Sequence, residues 1–274
     1  MTPPAVSIQL RQLEEIVGLP LFEQMGKHKH LTHGGAELAR HVRGVLAGLR
    51  DADNAMRRMR SNGAGTLHVV STTTAEYLVP PLLAKYRRTR PDLAVRLTVK
   101  NREAVVRDLA DNAVDLAVMG RAPAGSDTIA TAFAQHPLAI IAATDHRLAR
   151  RRRIHLDDLA AEPFFVREHG SGTRNAMEQV FSQQAFEPRD SIEIGTNEGI
   201  KQAVMTGLGL GFVSLDTVVA ELAAARLRVL PVVGMPVLRQ WFVVHRKAKQ
   251  LSQPALGFKS YLLAHGAERA ARRP

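Results

Sequence analysis

Hydroxyl, amide and guanidinium side chains gather in this sequence where strand patterns give way to helix patterns. Ser71-Thr72-Thr73-Thr74-Ala75-Glu76 follows the β-branched run Thr66 to Val70, and Thr73-x-x-Glu76 has the spacing of a capping box. Backbone N–H groups at such a turn hold anions, and spare hydroxyls add donors. A cap uses one threonine and leaves the others for different work. The device recurs in Gly170-Ser171-Gly172-Thr173-Arg174 and in Gly195-Thr196-Asn197-Glu198, each opening a helix pattern. Ligands of open α/β sheets sit at the carboxyl ends of strands. Two facing lobes would bring Ser71, Thr72, Thr73, Asn101, Arg102, Gly120, Arg121, Arg174, Thr196 and Asn197 around one cleft for a small anionic metabolite. Helix capping without any ligand is the competing reading of the same residues.

The elements that would position these groups alternate. Thr66 to Val70 is a strand, Glu76 to Arg90 a helix, Leu93 to Val99 a strand, Glu103 to Ala110 a helix and Val114 to Met119 a buried strand. Similar alternation continues with strands at Leu138 to Ala143, Phe164 to Val166, Ser191 to Ile194 and Gly211 to Ser214, and with helices at Thr173 to Ala185 and Gly199 to Met205. This predicts an α/β class with a mainly parallel sheet. One lobe spans about 66–135 and 236–266, the other about 136–235, with Trp241 to His245 and the helix Pro254 to His265 crossing back to the first. Residues 267–274 are expected to form a disordered, arginine-bearing tail.

Before these lobes lie two further patterns. In Thr2 to Thr32, Thr2 can cap a helix that Pro3 and Pro4 begin. Val6, Leu10, Leu13 and Val17 form an apolar stripe expected to be buried, opposite Ser7, Ile8, Arg11, Gln12 and Glu15. Gly18 ends the helix, and a basic hairpin or wing follows Gly26, carrying Lys27 and Lys29. A helix face with amide, guanidinium and one exposed isoleucine suits phosphates and base edges; a solvated amphipathic helix fits the pattern equally well. From 35 to 60, Leu38, Val42, Val45, Leu49, Ala52, Met56 and Met59 make an a/d seam over three heptads, which calls for a second copy of the helix. Ser61 to Gly65 then reads as a hinge.

Composition narrows the function. A formal charge of +11 favours a polyanionic partner. Cysteine is absent, which removes disulfides, thiolate catalysis and cysteine metal sites together. No apolar run approaches a membrane span and the N-terminus has no signal-peptide pattern, so the chain reads as cytoplasmic. Gly207-Leu208-Gly209-Leu210-Gly211 precedes a strand instead of following one, so it fails as a dinucleotide fingerprint. His28, His30 and His33 lack a metal-ligand framework, and no metal or other cofactor is expected. Arg150 to Arg153 reads as an exposed basic loop. No nucleophile elbow, P-loop or zinc-protease helix is present, and the chain does not read as an enzyme.

The stretch Pro4-Ala5-Val6-Ser7-Ile8-Gln9-Leu10-Arg11-Gln12-Leu13-Glu14-Glu15-Ile16-Val17-Gly18-Leu19-Pro20-Leu21-Phe22-Glu23-Gln24, with its basic wing and Leu31-Thr32-His33-Gly34-Gly35, resembles the second half of the winged helix-turn-helix of LysR-type transcriptional regulators. Its phrasing, with Asn101-Arg102-Glu103 and Asp115 to Arg121, is similar to regulators of carbon-fixation operons. The resemblance implies a partial winged helix-turn-helix at 1–34, a dimerising linker helix at 35–60, a hinge at 61–65 and a two-lobed, Rossmann-like effector domain of periplasmic-binding-protein type at 66–266. Thr2, Pro3, Pro4, Ser7, Ile8, Arg11, Gln12, Lys27 and Lys29 would meet promoter DNA. The implied partners are DNA, a homodimer or homotetramer, RNA polymerase and a phosphorylated or carboxylated effector, for which Arg102, Arg121 and Arg174 are suited.

Family members carry further helices before the recognition helix, whereas Met1 stands directly in front of it here. The sequence as it stands is therefore expected to dimerise and bind effector but to hold DNA weakly, as a truncated, dominant-negative regulator or from a misassigned start. A small-molecule-binding protein without a DNA role is the rival reading.

Overall fold

Pro3 and Pro4 start α1 (Pro3–Val17), and Gly18, at φ +74°, ends it with its N–H on Glu14 O. The Glu14 carboxylate accepts from the Leu21 and Phe22 N–H groups at 2.8 and 3.0 Å, folding the following segment back on the helix. Those two bonds hold its pKa below the usual carboxylate range. β1 (Phe22–Met25) and β2 (His28–Leu31) make the antiparallel wing, turned by Gly26 at φ +64°. Thr32 Oγ1 accepts from Gly35 N at 3.0 Å and caps α2 (His33–Arg60). A Cβ on Gly35 would overlap the Leu21 carbonyl, so glycine is required for that approach.

This computed structural model describes residues 3–26, 28–60, 65–125 and 127–270, and the chain divides at Met56/Arg57 into two units. In the first unit the stripe of α1 is not buried: Val6, Leu13 and Val17 are exposed, and Leu21 is the one apolar side chain among the described residues of the unit that is buried. The reason is that the wing and the start of α2 cover Leu21 and leave the length of α1 open. The seam positions Val42, Val45, Leu49, Ala52 and Met56 are exposed as well.

The second unit contains the lobes. β3 (Thr66–Thr72), β4 (Ala94–Lys100) and β5 (Leu116–Met119) are parallel and flanked by α3 (Val79–Arg88) and α4 (Arg102–Ala110). β6 (Thr128–Ala143) and β11 (Val237–Arg246) are long and antiparallel. β7 (Pro163–Val166), β8 (Asp190–Glu193) and β9 (Leu210–Ser214) are parallel, with α5 (Gly172–Gln183) and α6 (Asn197–Met205) on the chain between them. α7 (Val219–Ala223), β10 (Leu227–Val229), which pairs with β6, and α8 (Gln253–Ala270) complete the unit. The order is β4-β3-β5-β11-β6-β9-β7-β8. The sheet is thus mixed: β11 pairs antiparallel with β5, and both ends of β6 pair antiparallel with their neighbours. Its two long strands run from one lobe into the other.

Each lobe has its own core. Leu67, Val69, Leu116, Trp241, Val243, Phe258 and Leu262 close the first, and Leu138, Ile140, Phe164, Phe181, Leu210 and Phe212 the second. The expected capping box at Thr73 is absent, because Thr73–Tyr77 is a 3-10 turn whose preceding Thr72 makes no side-chain cap and bonds Thr74 Oγ1 instead. The expected tail from 267 begins in helix, since Ala-Glu-Arg-Ala continues α8 to Ala270. Residues 271–274 and hinge positions 61–64 lie outside the described residues.

Candidate functional site

Where β3 and β5 end, the chain opens into a cavity of about 410 Å³ that is in contact with solvent. Thr72, Thr73 and Thr74 follow β3, Gly120 and Arg121 follow β5, and Arg102 opens α4. From the other lobe come Ser171, Gly172 and Thr173 at the start of α5, while His136 and Leu138 on β6 and Arg239 on β11 form the crossing between lobes. Ser171 Oγ accepts from Thr173 N at 3.3 Å, which fixes the first turn of α5 against the cavity.

Three guanidinium groups therefore meet in one hollow. Arg102 donates to Ala122 O at 3.1 Å and Arg239 to Gln179 Oε1 at 3.0 Å, both neutral acceptors. Burial pushes the Arg102 pKa down, with Arg121 adding repulsion; burial first, then Arg121 and Arg102, pushes Arg239 down. No acidic side chain is among the described residues lining the cavity. Concentrated positive charge with hydroxyl donors beside it is chemistry for an anion with several oxygens. Nothing here resembles a nucleophile with its base, and no cluster of metal-binding side chains occurs among the described residues.

His136 forms the floor. Its ring stacks on Trp241, centroids 3.8 Å apart, and Trp241 Nε1 donates to Asp216 Oδ2 at 2.9 Å. A Cβ at position 120 would overlap the His136 ring, so Gly120 is what lets β5 end against it.

Of the residues expected in the cleft, Thr72, Thr73, Arg102, Gly120 and Arg121 line the cavity. The other five have different tasks. Ser71 is fully buried in β3. Asn101 accepts from Ala104 N at 3.0 Å and caps α4. Thr196 accepts from Gly199 N at 3.0 Å and caps α6. Arg174 is held by Glu178 and Glu193, each at 2.7 Å, and by Arg167 O. Asn197 donates to Thr73 O at 3.1 Å, bridging the lobes beside the cavity. Thr74, Ser171, Thr173, His136 and Arg239 also line the cavity, beyond the residues expected there. Thr74 belongs to the Ser-Thr-Thr-Thr string and Ser171 and Thr173 to the Gly-Ser-Gly-Thr string, while His136 and Arg239 carry no local signal.

On the N-terminal unit, Ser7, Ile8, Arg11 and Gln12 are exposed along α1, and Lys29 is exposed on β2. Thr2 and Lys27 lie outside the described residues, as do the side chains of Pro3, Pro4 and Met59.

Comparison with known proteins covers most of the chain. Residues 60–267 match the model of the LysR substrate binding domain, and residues 1–36 that of the bacterial regulatory helix-turn-helix protein, lysR family. The RuBisCO operon transcriptional regulator of Allochromatium vinosum is 41% identical over 267 residues, 97% of this chain and 88% of that protein. The HTH-type transcriptional regulator CbbR of Rhodospirillum rubrum is 41% identical over 264 residues, 96% and 88%. The Synechocystis PCC6803 CcmR regulatory domain, solved in complex with 2-PG, superposes with a TM-score of 0.70 at 36% identity, covering 73% of this chain and 96% of that one.

Proposed function

The chain belongs to the LysR family of transcriptional regulators, and from that premise we propose that its cleft senses a small phosphorylated or carboxylated metabolite and thereby controls a carbon-fixation operon. The observation that carries this reading is the meeting of Arg102, Arg121 and Arg239 around a cavity that no carboxylate among the described residues lines. The CcmR regulatory domain with 2-PG supports the ligand class. An anion between the lobes would offset the repulsion among the three guanidinium groups and favour one lobe arrangement, and the operator-bound assembly would respond through that bias.

In this reading Thr2, Pro3, Pro4, Ser7, Ile8, Arg11, Gln12, Lys27 and Lys29 meet promoter DNA, and the seam from Leu38 to Met59 pairs with a second copy. The exposure of Val45 at 65% and Leu49 at 63% supports the pairing, since an apolar stripe this bare needs a partner. Asn101 supports the cleft by capping α4, whose Arg102 lines it, and Asn197 by bonding Thr73. RNA polymerase remains a partner on family grounds alone. No helix among the described residues is long and apolar enough to cross a membrane, and the site of action proposed is the cytoplasm, where the operator lies.

The test is calorimetric titration of the full chain with 2-phosphoglycolate, glycolate and inorganic phosphate. Saturable binding of 2-phosphoglycolate that is lost in Arg102→Ala and Arg239→Ala is the expected result. Equal heats in wild type and both variants would place the anion elsewhere.

A further inference from the structure

Thr73 is gripped from the second lobe at two atoms. Arg167 Nη2 donates to its hydroxyl oxygen at 3.1 Å, and Asn197 Nδ2 donates to its carbonyl oxygen at 3.1 Å. The Arg167 side chain is 1% exposed. Its charge is answered by Glu168, which takes Nε at 2.8 Å and Nη2 at 3.1 Å; Nη1 donates to Asn197 Oδ1, and the two hydrogens of Nη2 are shared among Glu168, Thr73 Oγ1 and, at 3.3 Å, Gly195 O. This guanidinium adds little net charge to the cavity. It does not line the cavity, whereas Thr73 does.

A guanidinium nitrogen donates and cannot accept, so the Arg167 bond occupies a lone pair of Thr73 Oγ1 and leaves the hydroxyl hydrogen to point another way. Thr73 borders the cavity, and an anion there is an acceptor for that hydrogen. Donation into the oxygen also polarises the O–H and strengthens what it gives in turn.

We propose that Arg167 is a positioning residue for effector recognition: it sets Thr73 as a hydrogen-bond donor to the anion and ties that donor to the closed arrangement of the lobes. The inference rests on reading the cleft as the anion site. Arg167 and Asn197 both reach Thr73 from the second lobe, so parting the lobes removes the constraint on the donor. Effector affinity and lobe closure then rise and fall together.

The experiment is a double-mutant cycle on the full chain, read as the Kd for 2-phosphoglycolate. Thr73→Val is expected to weaken binding about tenfold, the scale of one hydrogen bond to a charged group. Thr73→Ser, which keeps the hydroxyl, should stay near wild type. Arg167→Lys, which keeps a charge opposite Glu168 but not the planar reach to Thr73, is expected to weaken binding by about the same factor, and combining it with Thr73→Val should add little. Losses that multiply to about a hundredfold, or full affinity in Arg167→Lys, overturn the inference and leave the anion site standing. If Arg167→Lys does not fold, Glu168→Gln takes its place in the cycle with the same expectation, because it loosens the guanidinium from outside the cavity. Failure of wild type to bind 2-phosphoglycolate overturns the reading of the cleft and this inference with it.

Discussion

The imidazole of His136 lies on the indole of Trp241, with ring centroids 3.8 Å apart and planes 20° from parallel. One ring lines the cavity and the other is the only tryptophan in the chain. Trp241 fluorescence is therefore expected to change saturably as 2-phosphoglycolate is added. In Gly120→Ala the new methyl overlaps His136 and forces the ring aside. That variant should shift the ligand-free emission and weaken binding at least tenfold, roughly the scale of a few kcal/mol of overpacking. Unaltered emission and affinity in Gly120→Ala would show that the ring has room to move.

Arg239 gives a prediction of opposite signs. Its pKa is pushed down by burial and by Arg121 and Arg102, and like charges gathered around one cavity repel, an effect that solvent screens at this half-buried side chain. Arg239→Gln should raise the melting temperature of the ligand-free protein by about 2 °C, the shift expected for a fraction of a kcal/mol in a domain of this size. The same change should remove most of the stabilisation that 2-phosphoglycolate gives, since a ligand stabilises by mass action only the state it binds. Thermal melts with and without ligand decide both halves, and a variant that melts lower while keeping its ligand shift would contradict them.

How far the site was legible in the sequence differs from residue to residue. Thr72, Thr73 and Arg102 are legible because strand ends and helix starts carry local signals, whereas Thr74 lines the cavity beyond that expectation. The same signal misplaced Thr196 and Asn197, since a Gly-Thr-Asn turn looks alike whether it faces the cavity or, as here, caps α6 and reaches Thr73. Arg174 has its acidic partner Glu178 four residues on, a pairing visible in advance, but Glu193 comes from β8. Arg239 stands next to Gln240 in β11 and looks like a solvated strand position. Its place opposite His136 is set by pairing between strands about a hundred residues apart. The expected strand Leu138 to Ala143 is only the end of β6 for a similar reason: Gln135-His136-Pro137 resembles a break, although the strand runs through it from Thr128 to Ala143. The mainly parallel sheet failed as an expectation because periodicity reports burial and not direction.

Pairing of α2 is tested at its most exposed seam positions. Val45→Asp and Leu49→Asp would each put a carboxylate into an apolar interface at a cost of several kcal/mol. Light scattering should find monomers for both variants. Dimers persisting in both would move the interface to another face.

The DNA-facing residues of α1 separate by chemistry. Arg11→Ala should weaken binding to specific and random duplexes alike and lower the salt slope by about one unit, the signature of a lost phosphate contact. Ile8→Ala should instead reduce the preference for the operator over random sequence, with the slope unchanged. Gel-shift titrations at several salt concentrations measure both. Identical behaviour of the two variants would remove the distinction between positioning and reading on this helix.

Acid sensitivity should trace in part to His245, which is buried on β11. Burial holds its pKa below the ordinary histidine value, with smaller repulsion from Lys259 and Lys249, while the bond to Arg246 O acts the other way. With Nδ1 donating to that carbonyl at 3.0 Å, Nε2 accepts from Lys259 Nζ at 3.1 Å, an arrangement only the neutral ring can make. Above the unfolded pKa, about 6.5, the ring is neutral in both states and contributes no pH dependence. As pH falls below that value the unfolded chain takes up a proton that the native state resists, so stability is lost from about pH 6.5 downward until the folded pKa is passed. His245→Gln keeps a donor and an acceptor and cannot titrate. Urea midpoints at pH 7.5, 6.5 and 5.5 should therefore fall less steeply in His245→Gln than in wild type. Parallel declines in the two proteins would assign the acid sensitivity to other groups.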